Sequence, residues 1–375
     1  MIGRVEDQVD FGGDSLAAEL VPADELADCA ATALQADGGR ILSYGTGAGY
    51  TPLRELIAER YEVHPYRVLV TNGWLQGFSL LTQNRVRGQN VICEYPTYDK
   101  ALQAIFQGNA NLLYLDLGPG GFNSDQVEFF VRTSQKPALC YTIPTFHNPT
   151  GQSLSLDQRY HLGSWVHNRA KTLLVEDDTY GSLRFEGEPL PTMFELSERE
   201  IVYSTSLSTI IAPGLRVGVF ILPDVLAGEL ATLANSTYIS PVLLAQATVF
   251  EFLQRGRLEP QVEMLRERLA ERRDATIAAL EKHFEGATWT RPEGGFFIML
   301  TLPPGTNAKL VVDAADGVTA RAGEDFGGIP NAIRLNFAGP AALEEIEPGI
   351  ERLRAAWDPT ADPYETGQAF MGFNP

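Results

Sequence analysis

ALCYTIPTFHNPTGQSLSLDQRYHLGSWVHNRAKTLLVEDDTY, residues 138–180, sets two apolar runs, ALCYTIP (138–144) and TLLVEDD (172–178), on either side of a longer polar stretch. Neither run alternates polar with apolar, the pattern of strands covered on both faces. In each case the notable polar side chain comes at the downstream end: Asn148 after the first run, Asp177 at the close of the second. The same pattern recurs in VLVTNG (68–73), NVICEYP (90–96), NLLYLDL (111–117), IVYSTS (201–206) and VGVFILP (217–223), with helical stretches between. Strands alternating with helices predict an α/β domain on a mostly parallel sheet. In such sheets ligands collect at the carboxyl ends of the strands. Asn72-Gly73, Tyr98, Asn148, Asp177 and Ser206 all fall there.

Outside this region the patterning changes. Pro22-Ala23-Asp24 marks a helix start, and Leu53, Ile57 and Tyr61 recur at a spacing of four in a helix over 52–61. Val262, Leu265, Leu269, Ile277 and Leu280 form one stripe of a long amphipathic helix. FFIMLTLP (296–303) and AIRLNF (332–337) then read as strands of a smaller α+β domain. The predicted division is 45–270 for the large domain, 271–375 for the small one, and 1–44 as a segment packing with the small one. The Pro-rich tail WDPTADPYETGQAFMGFNP reads as irregular.

The 375 residues are too many for one simple core, which also argues for two domains. A formal charge of −19, from 48 acidic and 29 basic residues, argues against a nucleic-acid partner. Cys29, Cys93 and Cys140 are far apart and read as buried thiols, with no metal-binding spacing. No apolar run reaches the ~18 residues of a membrane span, and the start lacks a signal-peptide pattern. A cytoplasmic protein is the expectation.

The motifs, taken in order, carry a family. LSYGTGAGYTPLRELI, VTNGWLQG, EYPTYDKAL, PTFHNPTG, VEDDTYGSLRF, STSLSTIIAPGLRVG, PEGGFFIML and AIRLNF resemble the landmarks of fold-type I pyridoxal-phosphate enzymes. Within these, the likeness is to the class I aminotransferase group, especially the branch with 2-aminoadipate aminotransferases and the domain of MocR-type regulators. It covers nearly the whole chain. The resemblance implies that Asp177 pairs with the pyridine nitrogen of the cofactor and keeps it protonated. It implies that Tyr180 and Asn148 hydrogen-bond the phenolic oxygen and that Tyr98 stacks on the ring. Gly73, Trp74 and Leu75 open the helix at the phosphate, with Ser206, Ser208 and Arg216 completing the cup. Tyr44 resembles the tyrosine that reaches the phosphate of a neighbouring subunit, which implies a homodimer. Arg334 clamps a substrate carboxylate with a two-pronged bond, with Asn148 beside it. Blander roles exist for several of these: a strand-end Asp also caps helices, and Asn-Pro-Thr-Gly is also a good turn.

Three departures stand out. The family pattern Ser-x-Ser-Lys ahead of Pro-Gly-Leu-Arg supplies the lysine that forms an imine with the cofactor and then moves the proton. Here that position holds Thr209, whose hydroxyl cannot form an imine and is a poor unaided base at neutral pH. Of the five lysines, Lys100, Lys136, Lys171, Lys282 and Lys309, only Lys100 lies near a landmark, and it reads as a solvated helix residue. Second, Trp74 and Leu75 stand where the family has small or polar residues. Third, FGGDSL (11–16) replaces a glycine-and-proline turn lining the substrate pocket. The expected function is an aminotransferase-fold enzyme acting on an amino acid or related carboxylate. It would use pyridoxal or pyridoxamine phosphate without a covalent link, and Thr209, His147 or a water would take part in proton transfer. A cofactor-free enzyme on the same fold and a non-catalytic partner subunit are the alternatives.

Overall fold

Each apolar run forms a strand in the computed structural model, which describes residues 8–118, 121–133, 137–169 and 172–358. The tail past Asp358 and the lysines Lys136 and Lys171 lie outside the described residues.

The large sheet has eight strands. Their spatial order is Val68–Asn72, Val217–Ile221, Val202–Ser206, Leu173–Asp177, Pro137–Thr142, Asn90–Tyr95, Asn111–Gly118 and Gly121–Phe122. The five from Val202–Ser206 to Asn111–Gly118 are parallel neighbours. Val217–Ile221 runs against both of its neighbours. Its sequence could not reveal this, because a strand apolar on both faces looks the same in either direction. Val70, Val91, Leu139, Leu174, Val175, Val202 and Val219 are all buried, as runs without alternation require.

The smaller sheet is antiparallel, in the order Thr288–Trp289, Phe297–Thr301, Ala332–Asn336 and Arg321–Ala322. Val9–Asp10 pairs in parallel with Val318–Thr319, which ties the start of the described chain to this half. The predicted long helix is Leu258–His283, and the stripe from Val262 to Leu280 faces the core. The helix expected over 52–61 spans Thr51–Arg60, and that expected after Pro22 spans Ala23–Ile41.

One packing detail positions the site. Helix Trp74–Arg85 lies hard against strand Val217–Ile221 because two glycines permit it. A Cβ on Gly218 would come within 2.4 Å of the Trp74 backbone nitrogen, and one on Gly77 within 2.1 Å of the Phe220 ring. Any side chain at either position would push the helix start away from the strand.

Candidate active site

The strands Val68–Asn72, Asn90–Tyr95, Pro137–Thr142, Leu173–Asp177 and Val202–Ser206 all end at one edge of the sheet, and the reversed strand Val217–Ile221 begins there. Between these ends lies a cavity of about 260 Å³. Trp74, Leu75, Tyr98, Asn148, Asp177, Tyr180, Ser206, Ser208, Thr209 and Arg216 line it, with Asp14, Lys100, Ile143, Thr179 and Pro213.

At its floor Asp177 is buried. Its Oδ1 accepts from the Thr179 hydroxyl at 2.5 Å and backbone nitrogen at 3.2 Å, and its Oδ2 accepts from the Tyr141 hydroxyl at 2.9 Å. No cationic side chain pairs with it among the described residues. Burial therefore pushes its pKa up to about 6, although the bonds from Thr179 and Tyr141 pull the other way. A buried carboxylate held only by neutral groups is suited to a ligand that brings an N–H or a positive charge.

One wall is the start of helix Trp74–Arg85. Gly73 caps it at φ +86° with no side-chain hydrogen bond, so the first backbone N–H groups face the cavity side without a capping acceptor. Arg216 crosses this point: its Nη2 would lie 2.2 Å from a Cβ at Gly73. Arg216 is itself a non-glycine residue in the left-handed region, at φ +52°. It has no carboxylate partner among the described residues. Ser206 is buried at the lining, and its hydroxyl makes no hydrogen bond within the described chain. Ser208 is committed, since its Oγ accepts from the Val217 backbone nitrogen at 2.7 Å. A helix start, a guanidinium without a carboxylate partner and a free hydroxyl together fit an anion such as a phosphate.

A sequence profile of the class I and II aminotransferases matches residues 16–353. This chain belongs to that family. It is 31% identical over 368 residues to aromatic-amino-acid aminotransferase 1 of Thermococcus litoralis, covering 93% of this chain and 88% of that protein. Among solved structures it superposes with a TM-score of 0.89 on the α-aminoadipate aminotransferase of Thermus thermophilus complexed with N-(5'-phosphopyridoxyl)-L-leucine. That pair is 31% identical over 94% of this chain and 92% of the other. The kynurenine aminotransferase of Pyrococcus horikoshii, solved with PMP, gives a TM-score of 0.88 at 29% identity, over 97% and 93% of the two chains.

Within this aminotransferase fold, the expected residues differ in how they sit relative to the cavity wall. His147 is buried behind it. Its Nδ1 lies 3.0 Å from the Thr150 hydroxyl, and its Nε2 lies 3.1 Å from Glu94 Oε2 but out of line for a hydrogen bond. His147, expected to take part in proton transfer, is thus not among the residues lining the cavity, and its imidazole lies against Glu94 and Thr150. Trp74 lines the cavity, but its indole stacks on Phe78 at 4.6 Å and donates to Ser204 Oγ at 2.9 Å. It is anchored in the core. Tyr44 is 82% exposed. Tyr180 is buried edge-on to Phe296 and Phe297, and its hydroxyl has no partner among the described residues.

Two residues take roles that the sequence reading did not give them. Lys100 lines the cavity and pairs with Asp99 Oδ2 at 3.0 Å, so it is not simply a solvated helix residue. Asp14 donates nothing but holds Arg334, whose Nη1 lies 2.5 Å from Asp14 Oδ1. Arg334, expected to clamp a substrate carboxylate, thus pairs here with a carboxylate of the chain itself. The signal was present in FGGDSL, recognised as unusual but not as a partner for Arg334. A second cavity, of about 300 Å³, contains Tyr61, Asp178 and Tyr203, and none of the expected site residues lines it.

Proposed function

We propose that this protein is an aminotransferase-family enzyme that binds pyridoxal or pyridoxamine phosphate non-covalently and performs amino-group chemistry on an amino acid or related carboxylate. The observation that carries the reading is the gathering of Asp177, Tyr98, Asn148, Tyr180, Ser206 and Arg216 on one cavity. The residues fit the group: an uncompensated buried carboxylate at one end and an uncapped helix start with a guanidinium lacking a carboxylate partner at the other.

In this reading the N–H groups after Gly73, the Ser206 hydroxyl and Arg216 hold the phosphate. Asp177 faces the pyridine nitrogen and keeps a proton on it. Tyr98 covers one face of the ring. Asn148 Oδ1 accepts from Arg334 at 3.1 Å, which leaves the amide nitrogen to donate toward the ring oxygen alongside the Tyr180 hydroxyl. When bound, the cofactor supplies an electron sink for bonds at the amine carbon.

Thr209 occupies the position of the family's lysine, so proton movement falls to weaker groups, the hydroxyls of Thr209 and Tyr180 or a water between them. Loss of a well-placed acid–base group costs ~10²–10⁴-fold in rate, so an ordinary transaminase rate is not expected. Lys100 is held by Asp99 and supplies no covalent link. A homodimer places Tyr44 at the partner's phosphate, which accounts for its exposure in the single chain.

The test is a spectroscopic titration of purified protein with pyridoxal phosphate and with pyridoxamine phosphate. Saturable binding that survives gel filtration poorly, with no borohydride-fixed adduct, supports the reading. No binding of either compound leaves a cofactor-free enzyme or a partner subunit.

A further inference from the structure

Successive side chains at a strand end point to opposite faces of the sheet. Asp177 and Ser206 line the candidate active site, and their neighbours Asp178 and Thr205 line the second cavity, of about 300 Å³. This cavity lies between the sheet and the helices Thr51–Arg60, Leu243–Gln254 and Leu258–His283. Those helices give it an apolar wall of Ile57, Leu253, Leu258 and Val262.

Its polar groups are opposites that do not meet. Asp178 Oδ2 accepts from the Tyr203 hydroxyl at 2.9 Å, and Oδ1 is buried with no hydrogen-bond partner. No cation lies within ion-pair distance of this carboxylate among the described residues. The Ser182 hydroxyl is likewise buried without a partner. Arg266 donates through Nε to the Ser182 carbonyl at 2.8 Å, while its terminal nitrogens have neither a hydrogen-bond partner nor a carboxylate among the described residues. One stretch of chain brings these groups together. A Cβ on Gly181 would come within 2.2 Å of Asp178 Oδ1, so the carboxylate rests on the residue before Ser182, to which the guanidinium is bonded. The other charged pair at the cavity, Arg60 and Glu259, is satisfied at 2.8 Å. Glu263, one turn before Arg266, is exposed and does not pair with it.

A ligand that answers both unpaired groups carries a cation and an anion a few bonds apart. A simple amine would leave Arg266 unused, and a simple carboxylate would leave Asp178 without a donor. A cavity at the lower end of the small-molecule range is too small for a nucleotide. We propose that the second cavity is a binding site for an α-amino acid with an apolar side chain. Its ammonium sits on Asp178, its carboxylate on Arg266 and the Ser182 hydroxyl, and its side chain against Ile57, Leu253 and Val262. The site is separate from the candidate active site and does not depend on what that cavity binds.

The test is calorimetric titration of the full-length protein with L-leucine, 3-methylbutylamine and 4-methylpentanoate, the last two each lacking one of leucine's charges. Leucine should bind about tenfold or more tightly than either, the scale of one charge-assisted hydrogen bond. Arg266→Gln and Asp178→Asn should each weaken leucine by about tenfold. Arg266→Gln, at a half-buried position, decides alone if Asp178→Asn does not fold. The titrations are repeated with saturating N-(5'-phosphopyridoxyl)-L-leucine to fill the active-site cavity, and leucine should still bind. Leucine binding that this compound abolishes and Arg266→Gln leaves unchanged belongs to the active site and overturns the proposal. No leucine binding, or either analogue matching leucine, overturns it as well. Failure of the phosphopyridoxyl compound itself to bind counts against the active-site reading, and the Arg266→Gln comparison then decides this one.

Discussion

The hydroxyl of Tyr141 meets Asp177 Oδ2 at 2.9 Å from the next strand of the sheet, so the carboxylate at the floor of the cavity is stabilised by neutral donors alone. Burial raises its pKa from 3.8 to about 6, and burial likewise raises Glu176 to about 8 and Asp178 to about 7.

A stability profile follows from those shifts. Between about pH 4 and 6 the folded protein keeps a proton on Asp177 that the unfolded chain has released. Its contribution is therefore full below pH 4 and is lost as the pH climbs to 6, on the order of 3 kcal/mol at ~1.4 kcal/mol per unit. Glu176 and Asp178 extend the same downward slope toward pH 8. Melting temperatures of cofactor-free protein across this range should fall more steeply for the wild type than for Asp177→Asn. Equal slopes would contradict the burial argument.

Replacing Trp74 tests whether its indole is structural. Trp74→Ser removes a stacked, 6%-exposed side chain and leaves Ser204 without its indole donor. A loss of about 3–5 kcal/mol in urea denaturation is expected, as for large-to-small core changes. An unchanged midpoint together with tighter phosphate binding would mean that the indole obstructs the cup after all.

Thr209→Lys should restore a covalent attachment. The variant is expected to yield a borohydride-fixed pyridoxyl group that peptide mapping places at position 209, with none on the wild-type chain. An adduct on Lys100 of the wild type would instead make that residue, held 3.0 Å from Asp99, the working amine.

Assembly is tested at Tyr44. Sedimentation should give a dimer at micromolar concentration, and Tyr44→Ala should weaken pyridoxal phosphate binding by about tenfold, the scale of one hydrogen bond to a charged group, without changing the melting temperature. A monomer with undiminished cofactor affinity would remove the neighbouring subunit from the site.

How much of this was legible beforehand depended on whether the signal was local. Strand positions and the long helix were readable because apolar runs and the stripe from Val262 to Leu280 are continuous in sequence. The cavity residues were readable from motifs that sit at strand ends. The reversal of Val217–Ile221 was not, because direction leaves no trace in an evenly apolar strand. Nor was the engagement of Arg334, whose partner Asp14 lies 320 positions away and is marked only by an unusual loop. The position of the His147 ring was hidden for a related reason: Asn148 beside it lines the cavity, while the ring lies against Glu94, contributed by another strand.

Because one strand ends at Ser206 and the reversed strand starts at Val217 on the same edge, a single short connection carries Ser208, Thr209 and Arg216 together. The groups proposed here to hold an anion and the position proposed to govern covalent attachment therefore lie in one cassette, outside the hydrogen-bonded sheet. On the proposed reading, drift in that connection would alter reactivity while the strands on either side, and the stability they confer, stay as they are.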